Sequence, residues 1–109
     1  MEISDRFRGY LPVVVDLETG GFSKDDNPIL EVACSFLTMR NGQLCVKDSA
    51  SRSLEPFEGS HVEPASLKVT KIDLDDPNRN ALDEREALVE FFKTVRDEMK
   101  FADCHLSLI

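Results

Sequence analysis

The chain has 109 residues, the size of one small domain with a single core. Hydrophobic residues make up 41%, which excludes compositional disorder, and no apolar run approaches the roughly 18 residues that span a bilayer. The net charge of −8 argues against a generic, sequence-independent nucleic-acid binder, which is usually basic, but leaves open an enzyme that meets phosphates through metal ions and a local basic patch.

The N-terminal segment, Met1-Glu-Ile-Ser-Asp-Arg6, is polar and has no signal-peptide apolar stretch, so a cytoplasmic protein is expected. The first predicted strand runs from Leu11 to Thr19, within Leu11-Pro-Val-Val-Val-Asp-Leu-Glu-Thr-Gly-Gly-Phe22. Residues i and i+2 of a strand share a face, so Val14, Asp16 and Glu18 line one side and Val13, Val15 and Leu17 the other. Two acids on one face of a buried-looking strand are costly unless something positive neutralises them. The usual neutraliser is a hard cation such as Mg²⁺ or Mn²⁺, which prefers oxygen ligands. A solvated strand rim with no ligand is the other account of the pair. Gly20-Gly21 then breaks the strand and lets a ligand approach the backbone.

A polar loop, Ser23 to Pro28, leads to a second strand from Ile29 to about Met39. Asn41-Gly42 suits a type I′ hairpin turn. A third strand is predicted from Gln43 into Lys47, resuming at Arg52 to Glu55 and ended by Pro56. These three strands form a β-meander. Glu63 to Val69 predicts a short helix with Pro64 in its first turn. The clearest helix follows: Asp83 and Glu86 can form a capping box, and Leu88, Phe91, Phe92, Val95 and Met99 recur on one face as a core-packing stripe. His105 to Ile109 reads as the opening of a fourth strand. An α/β domain of three strands, two helices and the start of a fourth strand predicts an incomplete form of a longer protein.

Cys34, Cys45 and Cys104 have neither the number nor the spacing of a disulfide framework or a zinc site. Cys34 and Cys45 fall in apolar runs as small core residues. The acids at Asp25-Asp26, Asp73 to Asp76 and Asp83 to Glu90 read as solvated surface.

The block Asp5-Arg-Phe-Arg-Gly-Tyr-Leu-Pro-Val-Val-Val-Asp-Leu-Glu-Thr-Gly-Gly-Phe22 closely resembles the N-terminus of the bacterial ribonuclease T family. Matches continue in the same order at Ile29-Leu-Glu-Val-Ala33, Leu54-Glu-Pro-Phe57, Ile72-Asp73, Asp76-Pro-Asn-Arg79, Glu86-Ala-Leu88, Phe92-Lys93 and Val95-Arg96, and cover the chain to about Cys104. A lone Asp-x-Glu-Thr is weak, but the long block with collinear matches is specific. The resemblance implies a ribonuclease-H-like fold, here incomplete, and the DEDD exonuclease superfamily. It implies a single exonuclease domain over residues 1–109, N-terminal part only. Its members trim single-stranded 3′ ends during maturation of transfer and other stable RNAs, and the fold handles RNA and DNA alike.

By the same resemblance, Asp16 and Glu18 are catalytic metal ligands for two Mg²⁺ or Mn²⁺ ions about 4 Å apart. Phe22 matches an aromatic that stacks on the 3′-terminal base; a ring packed under the turn is its plainer role. Arg6 and Arg8 match a basic segment that reaches RNA bound to the other subunit of a homodimer; on their own they are two surface arginines. The family also needs a second motif, typically His-Asn-x-x-Phe-Asp, and a third with a general-base His and a final Asp. Neither follows Met99, and His61 and His105 stand in other contexts. Val69 replaces a second base-stacking Phe and Ala65 an expected Glu, which bears on terminal-base specificity. The expectation is a chain inactive alone, because members of a catalytic set act as a unit. A non-catalytic RNA-binding or dimerisation remnant is the competing reading. An actin-like kinase half is a third, which prefers Asp-x-Gly-Thr and is opposed by Glu18.

Overall fold

Asn41 and Gly42 turn the chain back on itself with φ angles of 52° and 76°. Positive φ at both central residues is the type I′ geometry that matches strand twist, so the predicted hairpin forms here. The turn joins β2 (Ile29–Arg40) to β3 (Gln43–Ser53), and β2 pairs antiparallel on its other side with β1 (Tyr10–Thr19). The computed structural model describes every residue, 1–109. A short strand, β4 (His105–Leu108), lies parallel to β1, giving an open sheet of order β3-β2-β1-β4. This mixed α/β architecture agrees with an incomplete ribonuclease-H-like fold.

The third strand differs from expectation. It is continuous from Gln43 to Ser53 rather than split at Lys47, and Lys47 is the extra residue where the register shifts between Phe36↔Asp48 and Leu37↔Val46. Polar residues have low strand preference, but an unbroken β2 beside them supplies a partner for each backbone group, and that pairing decides the conformation. The strand also ends before Glu55, because Leu54 leaves it to form a parallel bridge with Leu82.

The predicted short helix is α2 (Pro64–Thr70), with Pro64 in its first turn; α1 (Ile3–Arg6) precedes it in the chain and was not expected. Four residues are too few to show a periodicity, and α1 exists because Ile3 plugs into the core. The long helix, α3 (Glu84–Ala102), begins where the Asp83 carboxylate accepts the backbone N–H groups of Arg85 and Glu86. Acceptance of those two orphan donors is the Asp83 half of the predicted capping box; the Glu86 side chain makes no return bond to the Asp83 N–H.

α3 covers one face of the sheet. Ala87, Phe91 and Val95 bury against Leu11, Val13, Val32, Cys34 and Phe36, with Ile3 and Leu54 completing the cluster. The predicted stripe is rotated: Ala87 joins it, Leu88 and Met99 are half-buried, and Phe92 is turned outward with its ring edge-on to Phe91, centroids 5.4 Å apart. The five predicted residues span more arc than one contact line covers, so only the i, i+4, i+8 series reaches the sheet fully.

Loops at the far end are tied together by Arg79. Its Nη2 donates to the carbonyls of Leu30 at 3.3 Å and Leu54 at 3.1 Å, bracing the start of β2 against the exit from β3. No helix is long and apolar enough to cross a membrane.

Candidate functional site

The second face of the sheet has no helix over it. Alternation along β1 sends Leu11 and Val13 into the core and leaves Val14 and Asp16 exposed. This corrects the expectation of a buried-looking strand: Asp16 is exposed and Glu18 half-buried, because α3 covers only the other side.

Register places the neighbours. Asp16 lies opposite Ala33 on β2, Glu18 opposite Glu31, and Val14 opposite Ser35. Ala33 and Ser35 in turn lie opposite Ser51 and Ser49 on β3. These small side chains leave a shallow trough of about 470 Å³ with Asp16 and Glu31 on its wall. Glu18 lines a second recess, of about 300 Å³, together with Thr19, Phe22, Ala65 and Val69. Asp16 and Glu18 are two residues apart on one strand, about 7 Å at the usual strand rise, so the two recesses adjoin at the end of β1.

The turn after β1 is built by close contacts. The Thr19 hydroxyl donates to the Gly21 carbonyl at 2.8 Å, and Gly20 N–H donates to Pro28 O at 2.9 Å. A Cβ at Gly21 would collide with the Asn27 carboxamide, so the backbone runs against that side chain. Asn27 uses both ends: its Oδ1 accepts Ser23 N–H at 2.8 Å and its Nδ2 donates to His61 O at 2.6 Å. His61 N–H donates back to Asp26 O, and Glu63 N–H to Gly20 O, both at 2.7 Å. The loop before α2 is thus locked to the turn after β1, which sets Ala65 and Val69, one helical turn apart, beside Phe22.

Phe22 is fully exposed, which removes the alternative of a ring packed beneath the turn. Val69 is 81% exposed across the same recess. Glu18, Phe22, Ala65 and Val69, all singled out in the sequence, therefore meet at one place. Arg6 and Arg8 do not. Both are exposed, Arg6 with its guanidinium 5.1 Å from the centre of the Phe7 ring, and both precede the start of β1. The strand from Tyr10 to Asp16 alone spans roughly 20 Å, so neither arginine reaches the carboxylates within one chain.

No histidine stands with the acids. His61 Nε2 is 3.3 Å from the Glu63 carboxylate on the exposed loop, and the His105 ring lies against Tyr10 with centroids 5.6 Å apart. Burial raises the Cys34 thiol above its ordinary value, against a lowering hydrogen bond with the Ala50 backbone. Burial, then the nearby Asp103 carboxylate, raises the Cys104 thiol. Raised thiols are poor nucleophiles, which agrees with structural roles.

Asp16 and Glu18 offer oxygen donors on a solvent-reached face, the chemistry a hard divalent cation accepts. Nowhere do three His, Cys, Asp or Glu side chains gather closely enough to hold an ion. Glu31 is the residue that the sequence left unassigned. It belongs to the matched Ile29-Leu-Glu-Val-Ala33 segment, but only the β1–β2 register shows that it faces Glu18.

No protein-family model matches the chain. Curated relatives do. It is 47% identical over 105 residues to a ribonuclease T of Shewanella frigidimarina, covering 95% of this chain and 48% of that protein. It is 43% identical over 109 residues to a ribonuclease T of Shewanella denitrificans, covering 99% of this chain and 48% of the relative. A third ribonuclease T, from Shewanella sp. strain W3-18-1, is 42% identical over 109 residues, 99% of this chain and 49% of its own length. The resemblance drawn from the residues is borne out, and the chain spans about half the length of the curated relatives it matches.

Proposed function

We propose that this chain, a relative of bacterial ribonuclease T along nearly its whole length, is the N-terminal portion of a cytoplasmic 3′→5′ exoribonuclease that trims single-stranded 3′ ends of transfer and other stable RNAs. The observation that carries the proposal is the placement of Asp16 and Glu18 side by side on an uncovered sheet face, next to the exposed Phe22 ring.

Asp16 and Glu18 would hold Mg²⁺ or Mn²⁺, two ions in the complete enzyme, together with carboxylates from outside these 109 residues. Bound there, the ions would supply an activated water and neutralise the leaving 3′ oxygen. Phe22 receives the terminal base by stacking, which suits single strands because every base has a π face. Arg6 and Arg8 grip RNA held by the other subunit of a homodimer. Their distance from the carboxylates of their own chain supports that assignment.

The chain alone has no useful exonuclease activity. The support is its composition and geometry: two histidines, one beside Glu63 and one against Tyr10, and no three acidic or histidine side chains close enough together to hold an ion. The same facts favour a second reading, a non-catalytic RNA-binding or dimerisation module. The two are separated by adding, in trans, the C-terminal half of a ribonuclease T relative and following a labelled single-stranded RNA. Mg²⁺-dependent shortening that is lost in Asp16→Asn is the expected result. No shortening, with metal-independent RNA binding intact, selects the second reading. Mg²⁺-dependent trimming by the chain alone, abolished by Asp16→Asn, overturns the claim of inactivity.

A further inference from the structure

The Phe22 ring is fully exposed and pairs with no other ring, so packing does not hold it and its place is set by its backbone. One residue holds that backbone on both sides. Before Phe22, Gly21 runs against the Asn27 carboxamide, where a Cβ would collide with Oδ1. After Phe22, Asn27 Oδ1 accepts Ser23 N–H at 2.8 Å, and Asn27 N–H donates to Ser23 O at 2.9 Å.

The other end of the same side chain reaches the opposite wall of the recess. Asn27 Nδ2 donates to His61 O at 2.6 Å, two residues before Glu63, which caps α2. This is the only side-chain hydrogen bond that joins the turn after β1 to the segment leading into α2. The other two ties, Glu63 N–H to Gly20 O and His61 N–H to Asp26 O, are backbone bonds. Removing the carboxamide therefore leaves the loops joined, but frees Ser23 N–H and the space beside Gly21.

Phe22 faces Val69 of α2 across a recess of about 300 Å³. The separation matters, because a gap of about 0.5–1 Å already forfeits a quarter to a half of a contact's attraction. A ring fixed before the ligand arrives also spares the cost of ordering it on binding.

We propose that Asn27 is a positioning residue for base binding. Its carboxamide holds Phe22 at the distance from α2 that admits one terminal base between the ring and Val69. The proposal rests on the reading that this recess receives the end of a single-stranded RNA.

The test is a double-mutant cycle read by anisotropy on one labelled single-stranded RNA, with and without its 3′-terminal base. It is run at a temperature where circular dichroism shows every variant folded. The proteins are the wild type, Asn27→Ala, Phe22→Ala and the double variant. Asn27→Ser, whose hydroxyl can accept Ser23 N–H but is too short to reach His61 O, takes the place of Asn27→Ala should that variant fail to fold. The change at Asn27 should weaken binding of the complete RNA by about 5-fold, the low end of what a lost base stack costs. In the Phe22→Ala background, and on RNA without the terminal base, it should alter affinity by less than about 2-fold, because Asn27 acts only through the ring. Equal losses with and without Phe22, or wild-type affinity in the Asn27 variant, overturn the positioning role and leave the substrate reading intact. A loss that persists on RNA without its terminal base likewise overturns it, since Asn27 then acts elsewhere than on the stack. No RNA binding by the wild type overturns the substrate reading and this proposal with it.

Discussion

Glu31 stands directly opposite Glu18 across the β1–β2 ladder, with Asp16 two residues further along the same face. Like charges directly opposite one another weaken a sheet, on the scale of about 0.2–1 kcal/mol for a cross-strand pair. Nothing cationic is paired with either residue. The fold therefore carries a small standing cost at the very place where the paired acids occur, and a bound cation would remove it.

Replacing Glu31 with Gln should stabilise the metal-free chain by about 0.5 kcal/mol, seen as a higher urea midpoint with an unchanged slope. The gain should shrink as salt screens the repulsion. It should also shrink in Mg²⁺, because a ligand that binds only the folded state stabilises the wild type by mass action. A midpoint that falls in Glu31→Gln would mean that Glu31 supports the strand pairing instead of straining it.

Gly21→Ala should cost about 1–3 kcal/mol, because its Cβ displaces the Asn27 carboxamide from Ser23 N–H and His61 O. The two sites touch, so their effects should not add: in an Asn27→Ala background, Gly21→Ala should lose the clash and keep only the strain that its φ of 156° imposes on a side chain. Thermal or urea melts of the four proteins in this cycle measure the coupling. Full additivity would show that the turn does not depend on the Asn27 bridge.

Phe22→Ala should leave the melting temperature nearly unchanged, since the ring has no cover in the fold. Its binding to single-stranded RNA should fall by about 1–3 kcal/mol, roughly 5- to 150-fold. Val69→Phe should act in the opposite direction by setting a second ring across the same recess. Anisotropy with RNAs that differ only in the terminal base reads both effects. Unchanged affinity in Phe22→Ala would remove the stacking role.

Much of this architecture was legible from local pattern. Period-two alternation marked β1, Asn41-Gly42 marked the hairpin, and Asp83 marked the start of α3. Each of those signals acts within a few residues, so the sequence states it directly. The unity of β3 was not legible, because Asp48 to Ser51 are strand only by virtue of pairing with β2. The predicted α3 stripe includes Phe92, which lies outward in the fold, and omits Ala87, which is buried. Periodicity gives the direction of a helical face; the contact with the sheet decides how much of it is buried.

By itself the sequence determined the presence of a paired-carboxylate strand, the order of the elements and the kinship with ribonuclease T, because these reside in contiguous residues. Only the tertiary structure decided that the acids meet solvent, that Glu31 confronts Glu18, that α2 brings Ala65 and Val69 to Phe22, and that Arg6 and Arg8 stay at the other end of the strand. Those relationships join residues far apart in the chain. They depend on register and on which sheet face α3 covers, and neither is specified by any single stretch of residues.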